Sequence, residues 1–506
     1  MNNLASVYQD AGKLDQALPL FEETFKLTKI KLGPDHPSTL RSMNNLASAY
    51  RAAGNFEQAM PLLEEALTLR KARLGPDHPA TLASMNSLAR GYQAAGKLDQ
   101  ALPLFEETLA LRKAKLGPDH PDTLGSMLNL AGAYRDAGKL DQALPLLEQT
   151  FKVMKVKLGP EHPTTLVSMN NLASVYQAAG KLDQALPLFE EALTLQKTKL
   201  GADHPDTLVS MNNLATAYQD AGKFEQALPL LEQTLTLRKA RLGPDHPDTL
   251  ASMNSLARGY QDVGKLDQAL PLFEETLTLR KAKLGPDHPD TLTSMNNLAM
   301  AYRAAGKFDQ ALPLLEQTFE LMKSKLGPDH RTTLVCMNNL ASVYRDAGKL
   351  EQALPLFEQT LALIKAKLGP DHPDALASMY DLGVAYLRVG KPAESERLAS
   401  ECLGSYEAKS PDNWRTFSTR SLLGGSLLAQ KKYADAEPLL LSGYEGMKQR
   451  EERIPATAKS RLTEAIKRLV QLFQETNRPD EAAKWKEKLA TLENVSVDKP
   501  PKALPK

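Results

Sequence analysis

Ten methionines, Met1, Met43, Met85, Met127, Met169, Met211, Met253, Met295, Met337 and Met379, stand 42 residues apart, and whole segments recur with them. A chain written as copies at one period of this length folds by stacking units, each too small to bury its apolar face alone. The 506 residues therefore do not divide into compact domains, because such an array grows by addition around one continuous core. Sixty-two Lys and Arg oppose 61 Asp and Glu, a net charge of +1, so no global field steers the chain toward nucleic acid or an acidic membrane. Cys336 and Cys402 lie in separate units without metal-ligand spacing, which reads as two buried or neutral thiols in a reducing compartment. Neither a leader-like start nor a bilayer-length apolar run is present, so the expected location is cytoplasmic, with no membrane partner.

The unit from Pro37 to Pro79 shows how each copy folds. Leu40, Met43, Leu46, Ala47 and Tyr50 recur at the spacing of one helical face, and Gly54 stops that helix, here called A. Phe56, Ala59, Met60, Leu63, Ala66, Leu67 and Leu69 form the face of a second helix, B, which ends at Gly75-Pro76. Arg70, Lys71 and Arg73 occupy its last turns, where cations favour the negative end of the helix dipole. Pro61 and its equivalents lie about one turn inside helix B, where a local bend accommodates the missing hydrogen bond. Phe and Leu alternate at one helix B position, Phe21, Leu63, Phe105, Leu147, Phe189, Leu231, Phe273, Leu315 and Phe357, and MNSLARGYQ at Met85 returns at Met253. The copies therefore arose by duplication in pairs and then in blocks of four.

Leu46, Ala47, Tyr50, Ala59, Leu63 and Ala66 reproduce the spacing of small and large packing positions in the tetratricopeptide repeat, which the chain resembles. Met43 replaces that family's first aromatic, and the 42-residue unit with its Leu-Gly-Pro-Asp-His-Pro connector resembles the repeats of kinesin light chains and related bacterial arrays. The resemblance implies an all-α, right-handed α-α superhelical solenoid. Its expected organisation is nine units over residues 1–378, divergent units forming a C-terminal cap over 379–492, and a disordered tail over 493–506. Met1 coincides with the mid-helix methionine of later units, so the first helix A lacks their Pro-x-Thr-Leu-x-Ser lead-in, as a fragment or a late start would.

All nine histidines, from His36 to His372, occupy one connector position. Stacked helices lie about 8–10 Å apart, too far for a one-per-unit ladder to converge on zinc; the rings are expected to cap or pack across their own turns. Asn44, Asn86, Asn170, Asn212, Asn254, Asn296 and Asn338 form another ladder, roughly 110° from the centre of the helix A core stripe. Arg51, Arg90, Arg258 and Arg345 share its flank, and such amides and guanidinium groups suit a peptide backbone or a carboxylate. The family's concave groove is lined by helix A, so the resemblance implies that this ladder contacts an extended ligand. The alternative is that the asparagines bond neighbouring helices. Asn3, Asn45, Asn129, Asn171, Asn213, Asn297 and Asn339, one residue further on, point to the opposite flank.

No nucleophile pairs with a base, no phosphate loop precedes a strand, and the Glu22-Glu23 pairs read as a solvated surface. The expectation is a non-enzymatic scaffold, with no cofactor and no metal, that binds a protein or peptide segment. Two rival readings are the recruitment arm of a larger signalling protein, with a kinase or nucleotide-binding module upstream, and a kinesin-light-chain-type cargo adaptor. Basic ends of helix B such as Arg112-Lys113-Lys115 and Arg280-Lys281-Lys283 form a ridge that dipole matching explains.

Overall fold

The computed structural model describes residues 1–497. They form 24 α-helices in twelve antiparallel pairs, with two short 3-10 turns at Glu451–Arg453 and Ala456–Ala458 and no strand among the described residues. Unit 1 comprises Asn2–Asp10 and Leu14–Leu32, unit 2 Pro37–Ala52 and Phe56–Leu74, and unit 12 Ser460–Glu475 and Pro479–Val497. The last helix runs to Val497; of the expected tail over 493–506, residues 498–506 lie outside the described residues.

Each boundary has a local cause. In all nine connectors the histidine Nδ1 accepts the backbone N–H two residues on, at 3.1 to 3.3 Å. That bond satisfies one of the unpaired donors at the helix A start. Asn413 Oδ1 does the same for Arg415 N–H at 3.0 Å in unit 11. Helix A stops where Gly54 takes φ 70°, a position filled in units 11 and 12 by Lys431 (φ 62°) and Asn477 (φ 56°). Pro61 is the sixth residue of its helix, so only the exposed first-turn carbonyl of Glu57 loses a donor.

Packing follows the predicted stripes. Met43, Leu46 and Ala47 of helix A and Ala59, Leu63 and Ala66 of helix B are buried, and the alternating Phe and Leu side chains fill one layer. Cys336 and Cys402 are buried too, and burial pushes both thiols up to about 12. Between units, each helix A tyrosine donates its hydroxyl to a glutamate 28 residues earlier on helix B, from Tyr50–Glu22 at 2.6 Å to Tyr386–Glu358 at 2.7 Å. Burial, reinforced by that glutamate, pushes these phenols up to about 12. Successive A helices also pack on one another, whereas successive B helices do so less. Helix A therefore lines the inner, concave side and helix B the outer side.

Six units carry the chain once round, and it then meets itself. His246 Nε2 of unit 7 lies 3.2 Å from the Asp10 carbonyl of unit 1, and His288 Nε2 of unit 8 lies 3.0 Å from the Ala52 carbonyl of unit 2. His330 bonds the backbone of Ala94 in the same way. Since Nδ1 accepts an N–H, the neutral ring carries its proton on Nε2 and donates it to the carbonyl. The glycine turns of the first round make room: a Cβ on Gly12 or Gly54 would lie 2.5 or 2.4 Å from Pro247 or Pro289, and one on Gly138 would lie 2.5 Å from His372. Later contacts continue the seam, with Gly180 against Ser410 and Gly222 against Arg453.

Two predictions follow from packing and protonation. Phe189→Leu, which copies the residue of neighbouring units, should cost less than about 1.5 kcal/mol, and Phe189→Ala about 3–5 kcal/mol, as read from urea denaturation of the array. The pKa values of His330 and His372 are lowered, first by burial and then by Lys367 near His330; for His372, Asp374 opposes burial while Arg331 and Lys409 add to it. The unfolded chain therefore binds these protons more readily, so stability is full above the ordinary value of about 6.5 and is lost as pH falls from there through the lowered folded values. Melting scans should show the midpoint falling across that window, and the double variant His330→Asn/His372→Asn should flatten the fall.

Candidate protein-interaction surface

Helix A presents three rows inward. Arg41, Ala83, Val167, Val209 and Ala251 are exposed at one position. Val167 and Val209, at 41% and 47% exposure, are the large apolar residues that helix A leaves in solvent beyond unit 1. Arg90 and Arg258 are exposed seven residues beyond the Ala83 and Ala251 positions, while Arg51 is half-buried three residues beyond Ser48.

The asparagine ladder lies between adjacent A helices. Asn129 Nδ2 donates to Asn86 Oδ1 at 2.9 Å, Asn297 to Asn254 at 3.1 Å and Asn339 to Asn296 at 3.0 Å. The two asparagine positions that point to opposite flanks of one helix thus meet across consecutive helices. Asn170 donates to Ser210 Oγ at 2.8 Å and to the Leu166 carbonyl at 3.1 Å, and Asn338 to Asp381 at 3.2 Å. Asn44 and Asn212 have Ser87 and Ser255 at the position 43 residues on, and the Oδ1 atoms of Asn2, Asn44, Asn170, Asn212 and Asn338 are buried with no partner.

A second ladder joins the ends of the A helices. Gln93 donates to Asp136 at 2.7 Å, Gln177 to Asp220 at 2.7 Å, and Arg303 pairs with Asp346 at 2.6 Å, each spanning 43 residues. Arg345 is 7% exposed and pairs with both Asp346 and Asp381 at 3.0 Å. Burial works against its charge, yet the two carboxylates more than offset this and hold its pKa above the ordinary value. Arg345 is therefore engaged structurally. Arg258 lies near Asp262, whose carboxyl is raised to about 6 by burial despite the nearby arginine.

Arg51 is the exception in this ladder. Its partner position is Ala94, no carboxylate reaches it, and burial followed by the charge of Arg90 lowers its pKa. Arg51 thus lies in the field of Arg90 with no carboxylate at ion-pair distance among the described residues. Opposite-charge pairing is the rule elsewhere: on the outer edge, Lys115 pairs with Asp77 at 2.8 Å and Lys283 with Asp245 at 2.6 Å. Arg112 and Arg280 donate to the carbonyls of Asp122 and Asp290 at 2.9 and 2.8 Å. The basic ridge is thus largely tied to its own connectors.

Sequence periodicity hid the unsatisfied group because Arg51 looks like any other arginine of its row. What distinguishes it is that both positions that supply a carboxylate to the other arginines of the row, the next residue and the one 43 residues on, are alanine, Ala52 and Ala94.

This geometry defines a class: an α-solenoid whose first helices build one continuous inner face. The chain belongs to the tetratricopeptide repeat family, whose model matches overlapping segments from residues 1–72 to 332–408. Among solved structures, it is similar to the nearly identical TPR-like repeats of a Podosopora anserina protein assigned as a kinesin light chain. That match has 37% identity over 40% of this chain and 97% of the other, with a TM-score of 0.36. BtubC from P. vanneervenii matches at 19% identity over 46% and 92%, with a TM-score of 0.37. A Rap protein complexed with competence and sporulation factor matches at 12% identity over 74% and 99%, with a TM-score of 0.51, a likeness of fold. A comparison with curated protein sequences gave no match. No described helix is long and apolar enough to cross a membrane.

The contrast between the two arginines is testable by stability alone. Arg345→Gln leaves the half-buried Asp381 without its ion-pair partner, while Asp346 keeps Arg303, and should cost about 3 kcal/mol or more. Arg51→Gln removes an uncompensated cation and should leave the denaturation midpoint unchanged or raise it.

Proposed function

We infer that this chain mediates protein–protein interaction, as proteins built from tetratricopeptide repeats generally do on a fold that is typically a non-catalytic scaffold. We propose that this chain holds an extended segment of a partner protein along its concave face, with Arg51 and Arg90 as the anchor. The observation that carries this reading is the uncompensated pair. A half-buried cation beside a like charge is unfavourable in the free protein, and a carboxylate placed between two guanidinium groups relieves it through charge-assisted hydrogen bonds. Val167 and Val209, three and four units from unit 2, offer small apolar contacts further along the face.

Asn86, Asn254 and Asn296 keep the A helices in register in this reading, and Arg258 is a second, more solvated cation on the same face. The affinity comes from the unit 2 and unit 3 pair, since charge-assisted bonds contribute about 1.5–3 kcal/mol.

Fluorescence anisotropy with labelled extended peptides tests the reading, using an acidic peptide and its glutamine-substituted counterpart. The acidic peptide should bind at least about tenfold more tightly, the factor set by ~1.4 kcal/mol. Arg51→Gln/Arg90→Gln should abolish that preference while circular dichroism stays unchanged. Equal binding of both peptides, or an unaltered preference in the double variant, would reject the anchor.

A further inference from the structure

The seam between superhelical rounds has two unused halves. Unit n offers its glycine turn to the His-Pro connector of unit n + 6, and this register holds for units 1 to 4, whose Gly12, Gly54, Gly96 and Gly138 meet His246-Pro247, His288-Pro289, His330 and His372. On the opposite faces, Gly306, Gly348 and Gly390 of units 8 to 10 have no described atom within 4 Å of where a Cβ would stand. The connectors of the first round are equally open. His36, His78 and His120 cap their own helices through Nδ1, as His246 does, yet among the described residues no turn lies against Nε2. Exposure records the difference along the chain: the His204 side chain is 37% exposed in the first round, whereas His246 and His372 are 11% and 6% exposed in the second.

We propose that a second copy of this chain docks here head to tail, its first round seated on the last round of the copy below. The argument is continuity with the interface that the chain already forms with itself. Because there are twelve units and the seam advances by six, unit 8 is matched to unit 2 of the next copy, unit 9 to unit 3 and unit 10 to unit 4. His36, His78 and His120 then donate from Nε2 to the last carbonyls of the corresponding A helices, and Pro37, Pro79 and Pro121 cover Gly306, Gly348 and Gly390. The helix dipoles align across the contact, negative end to positive end, as they do between Asp10 and His246.

Charge agrees with this register. Within the chain, Lys325 at the end of helix B in unit 8 feels the field of Glu57 at the start of helix B in unit 2. Between copies, Arg73 and Lys115 stand in the place of Lys325, and Asp309 and Glu351 in that of Glu57; in the third contact Lys157 faces the Ala393 position, next to Glu394. The contact is limited to three units. Lys431 and Asn477 replace glycine in units 11 and 12, and their Cβ atoms occupy the space that a docked ring needs. The interface is heterologous, so it does not close after two copies and extends into a filament. It does not depend on what the concave face binds.

Sedimentation velocity over a concentration series of the full chain tests the proposal. The weight-average sedimentation coefficient should rise continuously with concentration, without a plateau at the dimer. His36→Asn/His78→Asn/His120→Asn keeps the caps, as Asn413 shows, and removes Nε2. Gly306→Asn/Gly348→Asn/Gly390→Asn keeps the turn conformation, as Asn477 shows, and fills the space. Each triple variant alone should associate at least about tenfold more weakly, a change of ~1.4 kcal/mol, with an unchanged helical spectrum. Mixed together, they should form a one-to-one dimer that does not extend, because each retains the face that the other needs. A wild-type chain that stays monomeric throughout, self-association that both triple variants retain, or a mixture that gives no heterodimer overturns it.

Discussion

Everything in this solenoid depends on a neutral imidazole that works from both ends. Nδ1 accepts the first free N–H of helix A, which leaves the proton on Nε2 facing outward from the turn. In the second round that proton meets a helix-end carbonyl 236 residues earlier, at 3.2 Å for His246 and 3.0 Å for His288. The same side chain therefore sets where a helix starts and how tightly the superhelix winds. Asn413 shows why capping alone does not account for histidine, because an asparagine caps as well but has no atom at the far end of a ring. In its connector the contact with the earlier round passes to Ser410 against Gly180.

Local features were legible in the sequence because their causes are local. The helix pairs, glycine stops, histidine caps and buried alternation of Phe and Leu all follow from spacing within one unit. The divergent pairs after residue 409 were legible for the same reason, since Leu469, Val470 and Phe473 keep the helical spacing when the connector changes. The pairings between units were not legible. Tyr50 meets Glu22 across 28 residues and Asn129 meets Asn86 across 43, and neither offset equals the repeat period. Glu22 accordingly looked like part of a solvated pair, and the second asparagine of each helix looked unrelated to the first. The self-contact after six units depends on accumulated rotation, which no single unit encodes.

Near-identity has a physical consequence for the candidate site. When every unit meets the same neighbour, a polar group met or left unmet in one unit recurs in the others, as the buried Oγ1 atoms of Thr39, Thr81, Thr123 and Thr165 do without a partner. Unpaired charge arises where neighbouring units combine unusually. Unit 3 has Ser87 in place of asparagine and Ala94 in place of the aspartate of units 4, 6, 7 and 9, and with Ala52 beside it Arg51 is left without a carboxylate. Arg90 belongs to the same unit and adds a like charge. Unit 7 repeats part of this change with Ser255 and Arg258, but keeps Asp262, so Gln219 retains its partner at 3.3 Å.

The inner face and the seam are built on the same helices, and this couples them. The middle of each helix A lines the concave side, and its last carbonyl receives the imidazole of the next round. A change of pitch that moves Asp10 away from His246 also changes the spacing of Arg51, Arg90 and Val167 along the face. A ligand that fits the wound spacing better than a relaxed one must therefore stabilise the seam by the difference in its two affinities. Protonation of the rings acts in the opposite sense, since an imidazolium cannot accept the capping N–H at Nδ1. Winding, capping and recognition are thus set by one helix and the ring at its start.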